Sequence, residues 1–373
     1  MSKKIKILYT IPNFDTAGSG KVLYDLAKGL DKDLFDVSIA CNNSNGFFFQ
    51  EIKNLGLPIY IEPTTKPLYP YYNLIFRIKP IVSFIKKHQF DIVHSWHWSS
   101  DWTEVLACRI AGAKFIYTKK AMSWGNAHWK IKSFLTNFII TINEEMSNFF
   151  KYKKNQRLIP LGIDTNFYSP KLFDKIDNDN FFKIITVANL VSVKGIEVLI
   201  KAINLINNPK IKLEILGKNG IEILEDGSEY DYYAVLQQLV SDLNLENQVV
   251  FLGMQSDVRP FLSNADLYVI PTLNKGRKEG MPMALVEAMA MGIPVLGSDI
   301  TGINYVLKDF PEFLFEASNE KALSEKIKFF LQKGDKDLND IGNQLRSYCL
   351  DNFSDDKFIK QHECLYLNLI KKG

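Results

Sequence analysis

The sequence predicts an α/β protein made of two doubly wound parallel sheets, and three observations lead there. The chain has 373 residues, too many for one small module and enough for two domains with separate cores. Apolar strand-like runs alternate with stretches of helical spacing, and the alternation occurs twice. Between the two series lies 171–180, polar and acidic, which reads as a linker.

Residues 5–11 form an apolar run ended by Pro12, Asn13 and Asp15, which is a buried strand. A Gly-containing loop over 16–20 leads into Val22, Leu23, Leu26, Ala27 and Leu30 at helical spacing, and 37–40 resumes strand character, completing a βαβ unit. Further strands are expected at 59–61, 92–94, 114–118 and 139–142, with helices at 74–87 and 103–110. The second series reads strand 183–187, helix 195–206, strand 212–216, helix 232–243, strands 249–252 and 267–270, helix 282–291, strand 295–297 and helix 321–333. The expected domains are 1–168 and 169–354. The amphipathic segment 355–373, with Phe358, Ile359, Leu365, Leu367 and Ile370 apolar, could dock back on the first domain. Open parallel sheets bind ligands at their C-terminal strand edges, so a cleft between two such domains is expected to hold the site.

Composition narrows the class. Hydrophobic residues are 46% and charged residues 23%, as in soluble globular chains. Cys41, Cys108, Cys349 and Cys364 lie far apart with no CxxC, against a disulfide framework or thiolate zinc site and in favour of a reducing cytosol. The apolar stretch after Lys6 is too short for export, and no run of 18 apolar residues spans a bilayer. Residues 1–170 carry 22 Lys/Arg against 13 Asp/Glu, and residues 171–373 carry 23 against 29. The basic first half suits an anionic partner such as a phospholipid surface or a diphosphate-linked lipid; scattered solvated lysines read the same way, and no nucleic-acid motif accompanies the charge.

The segment Glu279-Gly280-Met281-Pro282-Met283-Ala284-Leu285-Val286-Glu287 continues to Gly292-Ile293-Pro294-Val295. Pro282 suits a helix start, Gly292 its left-handed stop, and Pro294-Val295 the next strand. Amides over 281–284 at a helix start make an anion site suited to a diphosphate. Glu287 on that helix could accept from ribose hydroxyls, and Glu279 in the loop from a sugar. Both also read as ordinary helix-start and surface acids.

Glu-x7-Glu followed by Ala-Met-Ala-x-Gly-x-Pro-Val resembles the donor-site signature of family-four glycosyltransferases, retaining enzymes of the GT-B fold. Other pieces resemble the family in order: Gly18-Ser19-Gly20-Lys21, Asp91-Ile92-Val93-His94-Ser95, Ile159-Pro160-Leu161-Gly162-Ile163-Asp164, Val187-Ala188-Asn189-Leu190 with Lys194-Gly195, and Phe251-Leu252-Gly253. The resemblance implies Lys194 and Glu279 as catalytic residues, with Lys120 and His94 in the first domain. It implies donor contacts from Gly18, Asn189, Lys194, Gly217, Gly280, Met281, Pro282, Met283, Ala284, Leu285 and Glu287.

The chain departs from the family at two places. The basic partner of Lys194, usually arginine, falls on Asn189, with the insert Lys275-Gly276-Arg277-Lys278 as a possible replacement cation or a solvated loop. A histidine that many relatives use on the donor sugar falls on Lys120. His94 matches a recurrent family histidine, and both it and His97 also read as histidines satisfied by the strand-to-helix turn. All five tryptophans, Trp96, Trp98, Trp102, Trp124 and Trp129, lie between 96 and 129, which suits an acceptor-side surface, with core packing the ordinary role for some. Residues 68–87, aromatic and basic, could lie on lipid headgroups or form a core helix. The Asp-x-Asp pairs, Asp31/Asp33 and Asp177/Asp179, fall in a turn and in the linker, so no metal and no cofactor is expected.

The resulting expectation is a hexosyltransferase-type enzyme. It would take a sugar from a nucleoside diphosphate sugar, expected to be UDP-linked, to a glycan or lipid-linked acceptor in bacterial surface polysaccharide synthesis. It would be cytoplasmic and peripheral to an anionic membrane, with no nucleic-acid partner. A non-catalytic nucleotide-sugar-binding protein, or a transferase using a small soluble acceptor, are the alternatives. A dehydrogenase fails because no Gly-x-Gly-x-x-Gly opens either domain.

Overall fold

The computed structural model describes residues 3–14, 17–46, 48–122, 127–173, 181–223, 226–276 and 278–371, except the side chains of Ala17, Lys278 and Glu279. The chain divides into two units, Met1–Gly162 with Phe353–Gly373, and Ile163–Asn352. The division falls at 162/163 rather than at 168/169.

Unit 1 is a parallel sheet of β1 Ile5–Ile11, β2 Phe35–Cys41, β3 Ile59–Ile61, β4 Ile92–Ser95, β5 Lys114–Lys119, β6 Phe138–Thr141 and β7 Gln156–Leu158, in the order β3-β2-β1-β4-β5-β6-β7. The order reverses between β1 and β4, where Thr10 lies opposite Ser95. Ile7, Leu8, Tyr9 and Ile11 are buried, giving the near-continuous apolar strand expected of a sheet covered on both faces. Helices α1 Ala17–Gly29, α2 Leu74–His88, α3 Thr103–Ala111 and α4 His128–Leu135 belong to this unit. Leu74, Ile78, Ile81 and Ile85, one face of α2 at helical spacing, join a core with Val93, Phe115, Tyr117, Val105, Cys108 and Trp129. Each fully buried isoleucine there contributes about 1.5–3 kcal/mol.

Unit 2 repeats the plan with β8 Phe182–Val187, β9 Ile211–Leu216, β10 Val249–Gly253, β11 Leu267–Ile270, β12 Val295–Ser298 and β13 Leu314–Phe315, in the order β10-β9-β8-β11-β12-β13. Its reversal lies between β8 and β11. Leu216 pairs with Val187 and Gly297 with Ile270, so these strands end at a common level. Helix α5 Ile196–Ile206 follows β8, and α6 Met283–Ala290 follows β11.

The last helix, α7 Asp355–Lys371, packs in unit 1. Two glycines admit it: a β-carbon at Gly29 would stand 2.1 Å from Ile359 Cδ1, and one at Gly162 would stand 2.6 Å from Phe358 Cβ. The sequence pattern had not shown β7, β13, α4 or the helix Asp335–Phe353. Gln-Arg-Leu in β7 has no apolar run, and in Asp335–Phe353 Leu338, Gly342, Leu345, Cys349 and Phe353 mark a narrow buried stripe on a helix rich in polar residues.

Candidate active site

In unit 2 the loops leaving β8, β9 and β11 interlock. Gly195 ends the turn Ser192–Lys194 with φ of +65° and opens α5. A β-carbon on it would lie 2.3 Å from Pro271 O and 2.7 Å from Leu273 Cδ2, so only glycine fits. Leu273 N–H donates to Val193 O at 2.8 Å, tying the loop after β11 to the one carrying Lys194. From the other side, Ser192 donates through N–H and Oγ–H to the Glu222 carboxylate at 2.5 and 3.0 Å. A β-carbon at Gly217, the residue after β9, would stand 1.7 Å from Ala188 O. Close backbone contact on both flanks therefore fixes residues 188–195. Asn189 is exposed in this loop, and Lys194 is half-buried.

Helix α6 begins as its sequence predicts. Pro282 is the N-cap in extended conformation with no side-chain cap, and Leu285 N–H turns back to Pro282 O at 3.2 Å. The first-turn amides of Met283 and Ala284 have no intrahelical acceptor by the geometry of any α-helix. Gly280, Met281, Pro282 and Leu285 are buried, Met283 and Ala284 half-buried. Val286, Ala288, Met289 and Ala290 are buried too, and Glu287 is the one charged residue of the helix, half-buried one turn after Met283. Gly292, at φ +72°, stops it. Ser298 Oγ–H donates to Thr272 O at 2.6 Å, linking the ends of β11 and β12. Arg277 and the side chains of Lys278 and Glu279 lie outside the described residues, as do Trp124 and the Asp177/Asp179 pair.

In unit 1 helix α1 starts at Ala17, so Gly18, Ser19 and Gly20 form its first turn rather than a loop before it. Gly18 is exposed with nothing within 4 Å of where a β-carbon would be, whereas one at Gly20 would press on Phe14 at 3.1 Å. The ammonium of Lys120 donates to Ser19 Oγ at 3.0 Å and to Trp96 O at 2.5 Å, and lies 5.2 Å from the Trp98 ring centre. The structure thus brings Lys120 to the first turn of a helix, where two sources of positive potential add.

His94 lies in β4 as a histidine satisfied by its neighbours, one of the two readings its sequence position allows. It is fully buried, its Nδ1 2.7 Å from Tyr366 Oη and its Nε2 2.7 Å from Thr118 Oγ1. Burial, with His362 and Lys120 nearby, holds its pKa well below the usual imidazole range. Both ring nitrogens hydrogen-bond inside the protein, to Tyr366 of α7 and Thr118 of β5, so His94 fastens α7 to the sheet. His97 is also buried, 3.2 Å from Thr64 Oγ1, with its pKa lowered mainly by burial against the opposing pull of Glu104. Trp96 and Trp129 are core residues, Trp98 and Trp102 half-buried.

Sequence reasoning missed the buried charges around these rings. The Lys119 ammonium lies 3.5 Å from the centre of Trp129. Lys132 lies 4.1 Å from that of Tyr117 and donates to Ser99 O at 3.0 Å, its pKa pushed by burial down to about 8. Glu104 accepts from Ser95 Oγ–H at 2.6 Å. Strand alternation was the available clue: Lys119 at the end of β5 and Lys120 just after it had to point to opposite faces of the sheet. Among the described residues no group of three His, Cys, Asp or Glu could hold a metal ion.

Comparison with known proteins agrees across the chain. The model of Glycosyltransferase Family 4 matches residues 16–167, and that of Glycosyl transferases group 1 matches residues 170–347. The chain is 25% identical to the UDP-Gal:alpha-D-GlcNAc-diphosphoundecaprenol alpha-1,3-galactosyltransferase of Escherichia coli over 91% of each. It is 27% identical to the N-acetyl-alpha-D-glucosaminyl L-malate synthase of Bacillus anthracis, a match spanning 50% of this chain and 46% of that enzyme. A crystal structure of a glycosyltransferase from Rickettsia africae superposes with a TM-score of 0.84 at 19% identity, covering all of both chains. Anabaena HepE, solved in complex with UDP and glucose, superposes with a TM-score of 0.77 at 19% identity, covering 96% of this chain and 98% of that one.

Proposed function

From a chain that belongs to the family-four glycosyltransferases and has the GT-B fold, we propose a reaction in which a sugar passes from a UDP-linked donor to a hydroxyl of a lipid-linked glycan, with retention of anomeric configuration. The observation that carries the donor half is the interlock at the strand-order reversal of unit 2, where Lys194-Gly195 is held on Pro271 and Leu273. Ligands of doubly wound sheets bind at such reversals. Lys194 and the amides of Met283 and Ala284 stabilise the charge that gathers on the departing diphosphate as the glycosidic C–O bond breaks.

Glu287 accepts from the ribose hydroxyls and Glu279 orients the donor sugar. Gly217, Gly280, Met281, Pro282 and Leu285 shape the backbone around these groups, and Asn189 offers a neutral amide where relatives carry arginine. In unit 1, Lys120 and the first turn of α1 at Gly18 offer positive potential to phosphate or sugar oxygens. The leaving phosphate takes the acceptor proton, so no protein base is invoked and His94 has only a positioning role. The donor and acceptor classes are supported by the Escherichia coli relative, whose name gives UDP-Gal and a diphosphoundecaprenol-linked glycan.

Thermal shifts with UDP, GDP, ADP and their sugars test the donor, since a ligand at 100 times its Kd stabilises by about 2.7 kcal/mol. Turnover of a labelled UDP-hexose with a lipid diphosphate glycan, and the anomer of the product by NMR, test the rest. A shift with GDP or ADP alone replaces the base, and an inverted anomer removes retention. Binding without turnover makes the chain a nucleotide-sugar-binding protein.

A further inference from the structure

We propose that Glu222 is a positioning residue for Lys194, and that the hairpin carrying it holds the turn that meets the donor diphosphate. This role rests on the donor reading given above and adds a residue outside the segments that resemble the family.

Strands Ile221–Ile223 and Glu229–Asp231 pair antiparallel in unit 2, with Glu222 opposite Tyr230. The alternation along the first strand is the reverse of what packing selects. Ile221 and Ile223 are 61% and 67% exposed, while Glu222 between them is half-buried. Sliding the strand by one residue would turn the isoleucines inward, so burial of apolar area does not set this register. The contact made by Glu222 does. One carboxylate oxygen accepts from Ser192 N–H at 2.5 Å and the other from Ser192 Oγ–H at 3.0 Å. Hydrogen bonds to a carboxylate are roughly twice as strong as those between neutral groups.

The hairpin holds the turn on a second side as well. Its second strand leads directly into helix Tyr232–Asp242, where Asp231 caps the first turn by accepting from Ala234 N–H at 3.1 Å. Tyr232, 2% exposed, donates its hydroxyl proton to the Glu197 carboxylate and accepts from Glu197 N–H at 3.4 Å. Ser192 and Glu197 thus bracket Lys194 closely on either side. The Tyr230 ring stacks on Tyr232 with centres 6.4 Å apart, and its phenol pKa is pushed up by partial burial and by the Glu197 and Glu222 carboxylates, which places both acids beside one ring. Nearer the sheet, Leu190 N–H donates to Lys218 O at 2.9 Å, so the segment entering the hairpin runs beside the segment entering the turn. A lysine ammonium rides on a flexible stem, and loops at a sheet rim are more mobile than the strands they follow. Fixing residues 192 and 197 fixes the backbone of Lys194 and narrows the volume that its ammonium searches, which pre-organises the charge for a diphosphate.

Calorimetric titration of the full chain with UDP and with uridine tests this. Glu222→Ala is expected to weaken UDP about tenfold and to leave uridine unchanged, since only the diphosphate meets Lys194. Glu222→Gln, which keeps an acceptor oxygen, is expected to lose about threefold. Ser192→Ala, which removes one of the two bonds, should match Glu222→Gln, and these two variants carry the comparison where Glu222→Ala is unstable. Glu222→Ala added to Lys194→Ala should weaken UDP by less than about twofold more, because residues acting through one another are not additive. In the ligand-free Glu222→Ala protein, amide exchange should quicken over 190–195 and keep its wild-type rate over 211–216, with an unchanged thermal midpoint verifying the fold. Wild-type UDP affinity in Glu222→Ala, equal losses of UDP and uridine, or an additive loss in the double variant overturns the positioning role and leaves Lys194 at the diphosphate. Unchanged exchange over 190–195 overturns it whichever nucleotide binds. Wild-type UDP affinity in Lys194→Ala overturns the donor reading itself, and the role of Glu222 with it.

Discussion

A β-carbon on Gly195 would stand 2.3 Å from the carbonyl oxygen of Pro271, so the loop that carries Lys194 is seated directly on the strand exit that leads to α6. Gly195→Ala meets that oxygen and must also hold φ near +65°. The variant is expected to lose about 2–4 kcal/mol of stability and to bind UDP more weakly. Urea titration and calorimetry check both, and wild-type values in the two measurements would show the loops to be independent.

Lys194→Ala removes the ammonium assigned to the diphosphate. A charged hydrogen bond of about 1.5–3 kcal/mol predicts a loss in kcat/KM of roughly 10–100-fold, with Lys194→Arg recovering part of it. Steady-state kinetics with UDP-hexose decide. An alanine variant with unchanged kinetics takes Lys194 out of the donor site.

Tyr366 Oη lies 2.7 Å from His94 Nδ1 and 3.1 Å from Tyr9 Oη, all three groups fully buried. Tyr366→Phe leaves two buried polar atoms short of a partner and is expected to cost about 1–3 kcal/mol. Hydrogen exchange should rise first in α7. Uniform loss of protection across the chain would mean that this hydroxyl does not fasten the helix.

Stability should fall with acid in a defined window. Burial lowers the pKa of His362 to about 4 and holds His94 well below the usual imidazole value. The unfolded chain binds protons on these rings below about pH 6.5 while the folded chain does not. Stability from these groups is therefore present above pH 6.5 and declines as pH falls toward 4, by up to about 1.4 kcal/mol per unit for each ring. Urea titrations at pH 7 and pH 5 measure the slope. His362→Phe should flatten it, and an unchanged slope would assign the acid sensitivity to other groups.

Much of unit 2 was legible from local pattern. Pro282 and Gly292 bracket α6 because one fixes φ for a first turn and the other accepts a left-handed stop, and neither property depends on the rest of the chain. Residues 22, 23, 26, 27 and 30 told a helix but not its start. Ala17 through Gly20 join the first turn because Phe14 packs on Gly20 and Lys120 reaches Ser19, contacts that the local spacing does not carry.

The sequence by itself determined two βα alternations and the bounds of α6, since periodicity and φ preference act over a few residues. Tertiary structure decided the fate of the polar groups. His94 read either as a strand-exit residue open to ligand or as a histidine satisfied by the chain, and a tyrosine 272 positions later supplies its partner. Lys119 and Lys120 are neighbours of the same type, yet the pleat buries one against Trp129 and delivers the other to α1. Residues 68–87 read as a core helix or as a surface segment, and packing split them, with one face of α2 sinking into the sheet and Arg77 bonded to the carbonyls of the loop that carries Tyr69. Burial depends on what the folded chain brings alongside, and that is set by contacts between residues far apart in sequence.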